Sequence, residues 1–254
     1  MNKEKLKEFW LAEEACAHIH GWNFSHINDR YTEETDLPWN YEQIVRSYLK
    51  SEHKLLDIDT GGGEFLLSLG HPYENTGATE GYPPNITLCS ETLTPLGIDF
   101  CEMRQYDKMP FDDNSFDIII NRHGAYDVGE LYRTLKSNGI FITEQVGSLN
   151  DRELVELLLS DCPLPPFPNA TLEIQSRLFE KAGFKILKGE ETFRPIRFYD
   201  IGALIWFARI IEWEFPNFSV EKCFDNLMKA QNILEKNGSV DGTIHRYLII
   251  AQKP

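Results

Sequence analysis

Residues Lys54-Leu55-Leu56-Asp57-Ile58-Asp59-Thr60-Gly61-Gly62-Gly63-Glu64-Phe65-Leu66 run from a short apolar strand through three glycines into a helical pattern. Glycine tolerates positive φ and carries no Cβ, so the backbone of such a corner can approach a ligand closely. The N–H groups of the turn and of the first helical turn lack helical acceptors and can donate to a carboxylate, a phosphate or a ribose oxygen. A glycine-rich turn with no ligand is the plain alternative. Glu80 favours the ligand. It follows a second strand pattern, Asn75-Thr76-Gly77-Ala78-Thr79, and precedes the turn Gly81-Tyr82-Pro83-Pro84. It stands about twenty residues past the glycines, where an acid at the tip of the next strand accepts the two hydroxyls of a ribose. Strand, glycines, helix, strand and acid therefore read as a nucleoside site.

Dinucleotide sites want a small residue at the end of GxGxxG, and here that position is Leu66. Glu64 would also add negative charge beside any pyrophosphate. A cationic, phosphate-free cofactor fits better. At this point the chain resembles the class I S-adenosylmethionine-dependent methyltransferases with a type 11-like core, whose first motif reads acid, x, Gly, x, Gly, x, Gly after a strand. The match falls on Asp57, Asp59, Gly61 and Gly63, with Asp59 standing where the family usually has glycine. Aspartate tolerates left-handed backbone better than most residues, and its carboxylate can face a cationic cofactor.

The resemblance continues in Ile98 to Met103, similar to the third strand, and in Met109-Pro110-Phe111-Asp112-Asp113-Asn114-Ser115-Phe116-Asp117 leading into Ile118-Ile119-Ile120-Asn121. The latter resembles the family's LPF, acidic turn, SFD and fourth strand. The family's adenine-binding Asp matches Gln105, whose carbonyl can accept the same bond; Asp107 is the candidate in a shifted register. The resemblance implies S-adenosylmethionine as cofactor and S-adenosylhomocysteine as product. Asp57, Asp59, Thr60, Gly61, Gly63, Glu80, Gly81, Gln105, Tyr106, Asn121 and Arg122 would hold it.

The elements that must position these residues alternate strand and helix, and 254 residues at 42% hydrophobic content can bury one sizeable core. The expected fold is α/β: a doubly wound, mostly parallel seven-stranded sheet of the Rossmann-like methyltransferase kind. A helix bearing Leu131 and Leu135 is expected to end at Gly139, before the fifth strand Ile140–Gly147. A helix from Thr171 to Ala182, stopped by Gly183, leads to the sixth strand, Phe184–Glu190, and Ile244–Ala251 is the seventh. The organisation expected is an N-terminal helical arm or lid over 1–50, a cofactor-binding core over 51–193 and 244–254, and a helical cap inserted over 194–243. Within the cap, Asp200 should cap a helix through Trp213 and Ser219 another to Lys236, with Gly238 as its stop.

An acceptor site is expected where strand ends and cap meet. His123 and Tyr126, just past the fourth strand, are the candidate catalytic residues, with His123 able to act as a base at neutral pH. Trp22 and Trp39 in the arm, and Arg197, Trp206 and Trp213 in the cap, are candidate pocket residues; ordinary core packing is the competing role for the aromatics. Methyl transfer disperses charge, so a dry, aligned site serves it.

The formal net charge of −15 comes without a basic run. A small-molecule acceptor is therefore expected and nucleic acid is not, since phosphate neutralisation carries much of the affinity for RNA or DNA. An RNA methyltransferase and a noncatalytic cofactor-binding protein are the alternatives. No apolar run is long enough for a membrane span, and Asn2-Lys3-Glu4-Lys5 opens an amphipathic helix rather than a secretory leader, so a cytoplasmic location is expected. The five cysteines are scattered without a CxxC pair, as suits reduced thiols. Cys16, His18 and His20 are the only metal-like cluster in sequence, and their two-residue spacing points them apart on a helix; no metal is expected there.

Overall fold

The computed structural model describes residues 2–19, 24–33 and 36–254. In chain order the elements are α1 (Lys3–Ala15), β1 (Tyr31–Glu33), α2 (Tyr41–Tyr48), β2 (Leu55–Ile58), α3 (Glu64–Ser68), β3 (Thr76–Glu80), α4 (Pro83–Thr92), β4 (Asp99–Glu102), β5 (Phe116–Arg122), α5 (Val128–Thr134), β6 (Leu135–Val146), α6 (Arg152–Leu158), α7 (Leu172–Lys181), β7 (Lys185–Phe198), α8 (Ile201–Ile210), α9 (Val220–Asn237) and β8 (Val240–Gln252). Among the described residues eight strands, one more than the seven expected, hydrogen bond in the order β1-β7-β8-β6-β5-β2-β3-β4. Strands β2, β3, β4, β5 and β6 pair in parallel, and β8 joins β6 antiparallel, Ile140 to Val146 lying opposite Gln252 to Arg246. The mostly parallel α/β class stands as expected.

The chain divides into two compact units. One comprises Pro38–Val146, Asn169–Glu191 and Arg246–Pro254. Its centre is β2, whose four residues are all buried, as a central parallel strand covered on both faces requires. Leu56, Ile58, Ile119, Phe141, Phe179 and Ile249 belong to one cluster of its core. Helix α5 ends at Thr134 rather than at Gly139, because Leu135 already pairs with Phe116 as part of β6.

The other unit comprises Met1–Leu37, Gly147–Pro168 and Thr192–His245. It gathers the beginning of the chain, the segment after β6 and the inserted helices, so its limits differ from the arm and cap read from sequence. Strand β7 runs on to Phe198, past the expected end at Glu190: Ile196 and Phe198 are fully buried while Arg197 points outward, a two-residue period, and β1 pairs antiparallel with this stretch. Asp200 caps α8 by accepting from the Ala203 N–H at 2.9 Å, and the helix stops at Ile210, short of Trp213. Its residues from Ile201 to Ala208 are all buried, as its uninterrupted apolar sequence demands. Ser219 caps α9, which ends on left-handed Gly238. No helix among the described residues is long and apolar enough to cross a membrane.

Candidate functional site

From β2 the chain steps to β3 and β4 on one side, whereas β5 returns to the other side of β2. The connections that follow β2 and β5 therefore lead toward opposite edges of the sheet, which places a switch point at the C-terminal ends of these strands, where open parallel sheets bind ligands. Asp57 and Glu80 reach this end from β2 and β3, and Asp59 opens the loop between them.

Glu80 is buried. One carboxylate oxygen accepts from the Gly81 and Tyr82 N–H groups, each at 2.8 Å, and the other from the Gly61 N–H at 2.8 Å and Asn85 Nδ2 at 3.4 Å. The Gly61 donor read from sequence as available to a ligand is thus held by this acid, because a buried carboxylate takes the nearest orphan amides. Gly61 has φ +66, and a Cβ there would meet no atom within 4 Å, so its outer face is open. Gly63, at φ +85, serves packing: a Cβ would lie 2.8 Å from Leu93 Cδ2. Gly81 passes so close to the Met103 carbonyl that a Cβ would lie 2.7 Å from it.

Asp59 adopts left-handed φ 55. Its carboxylate accepts from the Tyr106 hydroxyl at 2.8 and 3.0 Å and from the Ala125 N–H at 3.1 Å, tying together the loops after β2, β4 and β5. Gly124 permits this approach, since a Cβ there would lie 2.5 Å from Asp59 Cβ and 2.7 Å from Asn121 Nδ2. Thr60 donates its hydroxyl to Asp57 at 2.7 Å. Burial, reinforced by the charges of Asp59 and Glu80, pushes the Asp57 carboxyl up to about 7 against the Thr60 bond and the Arg122 charge. Burial and Glu80 likewise push Asp59 up to about 6. The Glu64 carboxylate lies against Gly62, so carboxyls crowd these strand ends, with the Arg122 charge opposing them at Asp57; such an excess of acid favours a cationic ligand.

Beyond β5, His123 takes left-handed φ 60, an uncommon conformation for a residue with a side chain, and its N–H donates to the Glu144 carbonyl at 2.9 Å. Its Nε2 lies 3.5 Å from Glu144 Oε1, while Glu144 Oε2 accepts from Trp39 Nε1 at 2.6 Å. Desolvation lowers the His123 pKa despite its carboxylate neighbour. Burial alone would raise Glu144, but the bonds from His123 and Trp39, with the Arg122 charge, hold it below its ordinary value. Glu144 was not singled out from sequence. An acid at the C-terminal end of a parallel strand was the available signal.

The other predicted residues fall in different surroundings. Asn121 is fully buried and its side chain clamps the sheet, donating to the Ile58 carbonyl and accepting from Thr143 and Gln145. Arg122 lies over the Phe65 ring at 4.9 Å and the Tyr41 ring at 5.9 Å, and Gln105 is exposed. Tyr126 is partly buried, packs against Phe141 and Phe179 and donates to Gln175 at 3.2 Å. Trp206 is a core residue of its unit, 1% exposed and packed on Phe24 and His26, so it has no surface to offer an acceptor. Trp213 is exposed beside a shallow depression with His18, Arg209 and Ile210, and Arg197 pairs with Asp241 at 3.4 Å. Trp206, Trp213 and Arg197 therefore occupy separate places in that unit. Trp22 lies outside the described residues.

Residues 56–143 match the methyltransferase domain family. The uncharacterized methyltransferase YcgJ of Bacillus subtilis is 28% identical over 108 residues, which cover 39% of this chain and 43% of that protein, less than half the length of this curated relative. The solved YcgJ structure has a TM-score of 0.55 at 18% identity and covers 84% of this chain and 97% of its own. BH2331 of Bacillus halodurans C-125 gives 0.59 at 17% identity, over 85% of this chain and 99% of that one. The cyclase SpnF gives 0.52 at 16%, over 98% and 93%. At these identities the likeness is one of fold, and fold alone does not assign a reaction.

Proposed function

We propose, from the match of residues 56–143 to the methyltransferase domain family, that the chain transfers a methyl group from S-adenosylmethionine to a small molecule. The observation that carries this reading is the Glu80 carboxylate joined to the Gly61 amide across neighbouring strand ends, beside the carboxyls of Asp57 and Asp59. Glu80 would accept the ribose hydroxyls, and the open face of Gly61 would admit the cofactor's body. When bound, S-adenosylmethionine supplies a methyl group on a sulfonium. Its positive charges favour a crevice rich in carboxylates, and Tyr106 would release Asp59 to make room.

His123 is the candidate base. With Nε2 directed at Glu144, Nδ1 is the ring atom left to take a proton from an acceptor, and the lowered pKa keeps the ring neutral and competent near pH 7. Glu144 and Trp39 would hold the ring's orientation. The net charge of −15 supports a small acceptor over nucleic acid.

A noncatalytic nucleoside-binding role is favoured by one observation, the Asp59 carboxylate bonded to Tyr106 within the crevice. Calorimetry with S-adenosylmethionine and S-adenosylhomocysteine, followed by incubation of a metabolite extract with methyl-labelled cofactor and mass spectrometry, separates the readings. Binding with a labelled small product supports the enzyme, binding without product the noncatalytic role, and no binding rejects both. For the base assignment, His123→Asn should abolish the acid limb of the turnover profile; an unchanged limb would remove His123 from the chemistry.

A further inference from the structure

Glu13 and Cys16 stand three residues apart at the end of α1 and share one face of it. His26, ten residues beyond Cys16 in the short turn Ser25–Ile27, meets them there. Its Nε2 lies 3.0 Å from Glu13 Oε2 and 3.6 Å from Cys16 Sγ, and all three ligand atoms are within 4.8 Å of one another. A tetrahedral zinc ion with ordinary bond lengths sets nitrogen and oxygen ligands about 3.3 Å apart, and sulfur and nitrogen about 3.6 Å. We propose that Glu13, Cys16 and His26 form a zinc site, with the fourth position open to water.

The surroundings suit the ion. Arg30 Nη2 holds the other Glu13 oxygen at 2.8 Å and is itself bonded to Asp200 at 2.7 Å, which orients the carboxylate as outer-shell partners of metal ligands do. The His26 ring is stacked on Trp206 at 5.4 Å and 24°. Counting zinc, the Cys16 thiolate, Glu13, Arg30 and Asp200, the formal charge sums to zero. On binding, the Cys16 Sγ–H bond breaks and its proton leaves to solvent, the proton that His26 Nε2 donates to Glu13 moves by way of solvent to Nδ1, and Sγ, the freed Nε2 lone pair and Glu13 Oε2 bond the metal in place of the His26–Glu13 contact; no electron is transferred. Because the thiol must lose its proton to bind the metal, zinc affinity should fall as pH is lowered. The sequence cluster of Cys16, His18 and His20 is not this group. Its partners come from the helix and from a turn ten residues on, and His20 lies outside the described residues.

The test does not depend on the proposed methyl transfer. The full chain is titrated with zinc in competition with a chromophoric chelator, and separately with cobalt. One ion per chain is expected, with a cobalt–thiolate absorption band. Cys16→Ser and His26→Ala should each weaken zinc binding by at least about a hundredfold, while far-ultraviolet circular dichroism checks that both variants fold. Wild-type protein that yields all zinc to the chelator and shows no thiolate band overturns the site, as does wild-type affinity in either variant; both results would leave an ordinary His26–Glu13 hydrogen bond.

Discussion

Asp57 is where stability and ligand binding oppose each other. Its carboxyl titrates at 3.8 when unperturbed and at about 7 in the fold, so between these values the folded chain holds a proton that the unfolded chain has released. Stability from this group therefore falls as pH rises from 3.8 to 7, and the whole cost is present above 7. Asp57→Asn should stabilise the protein at pH 8 and bring no gain at pH 3, as read by urea unfolding at both values. A cationic cofactor prefers the ionised carboxyls, so wild-type affinity should weaken as pH falls from 8 to 5, by up to about tenfold per unit for each coupled proton. Flat affinity over that range would exclude Asp57 and Asp59 from facing positive charge. Glu80→Ala removes the acceptor of the Gly61, Gly81 and Tyr82 amides, and each orphaned donor costs about 1–3 kcal/mol. Both melting temperature and cofactor affinity should drop, and wild-type affinity in this variant would reject Glu80 as the ribose acceptor.

The elements matter through the loops they aim. The loops leaving β2 and β5 meet at Asp59 and Gly124 with no space for a further methyl group. Gly124→Ala should push the β5 loop off Asp59, lengthen its bond from the Ala125 N–H and lower cofactor affinity, with a crystal structure or calorimetry as the check. Unchanged affinity would mean that the cofactor does not sense this contact. The strands were readable in sequence wherever burial is continuous, as in β2, or alternating. The sequence reading lacked the short edge strand β1 and misplaced two ends: α5 stops early because strand pairing claims Leu135, and β7 runs on because β1 lies beside its last residues. Both boundaries are decided by partners distant in sequence.

For the molecule as a whole, the excess of acid sets an expectation about partners. A chain of net charge −15 should bind a structured RNA weakly at low salt and lose that binding as salt rises; tight retention on RNA in a filter assay at physiological salt would displace the small-molecule reading. By itself the sequence determined the α/β class, the glycine corner and the acid at the next strand tip, because each depends on residues a few positions apart with their own backbone preferences. Tertiary structure alone decided that Tyr106 reaches Asp59, that Glu144 and Trp39 stand behind His123, that Trp206 is core, and that His26 meets Glu13 and Cys16. Those are side-chain encounters between segments far apart along the chain, and no local spacing or periodicity encodes which of them will touch.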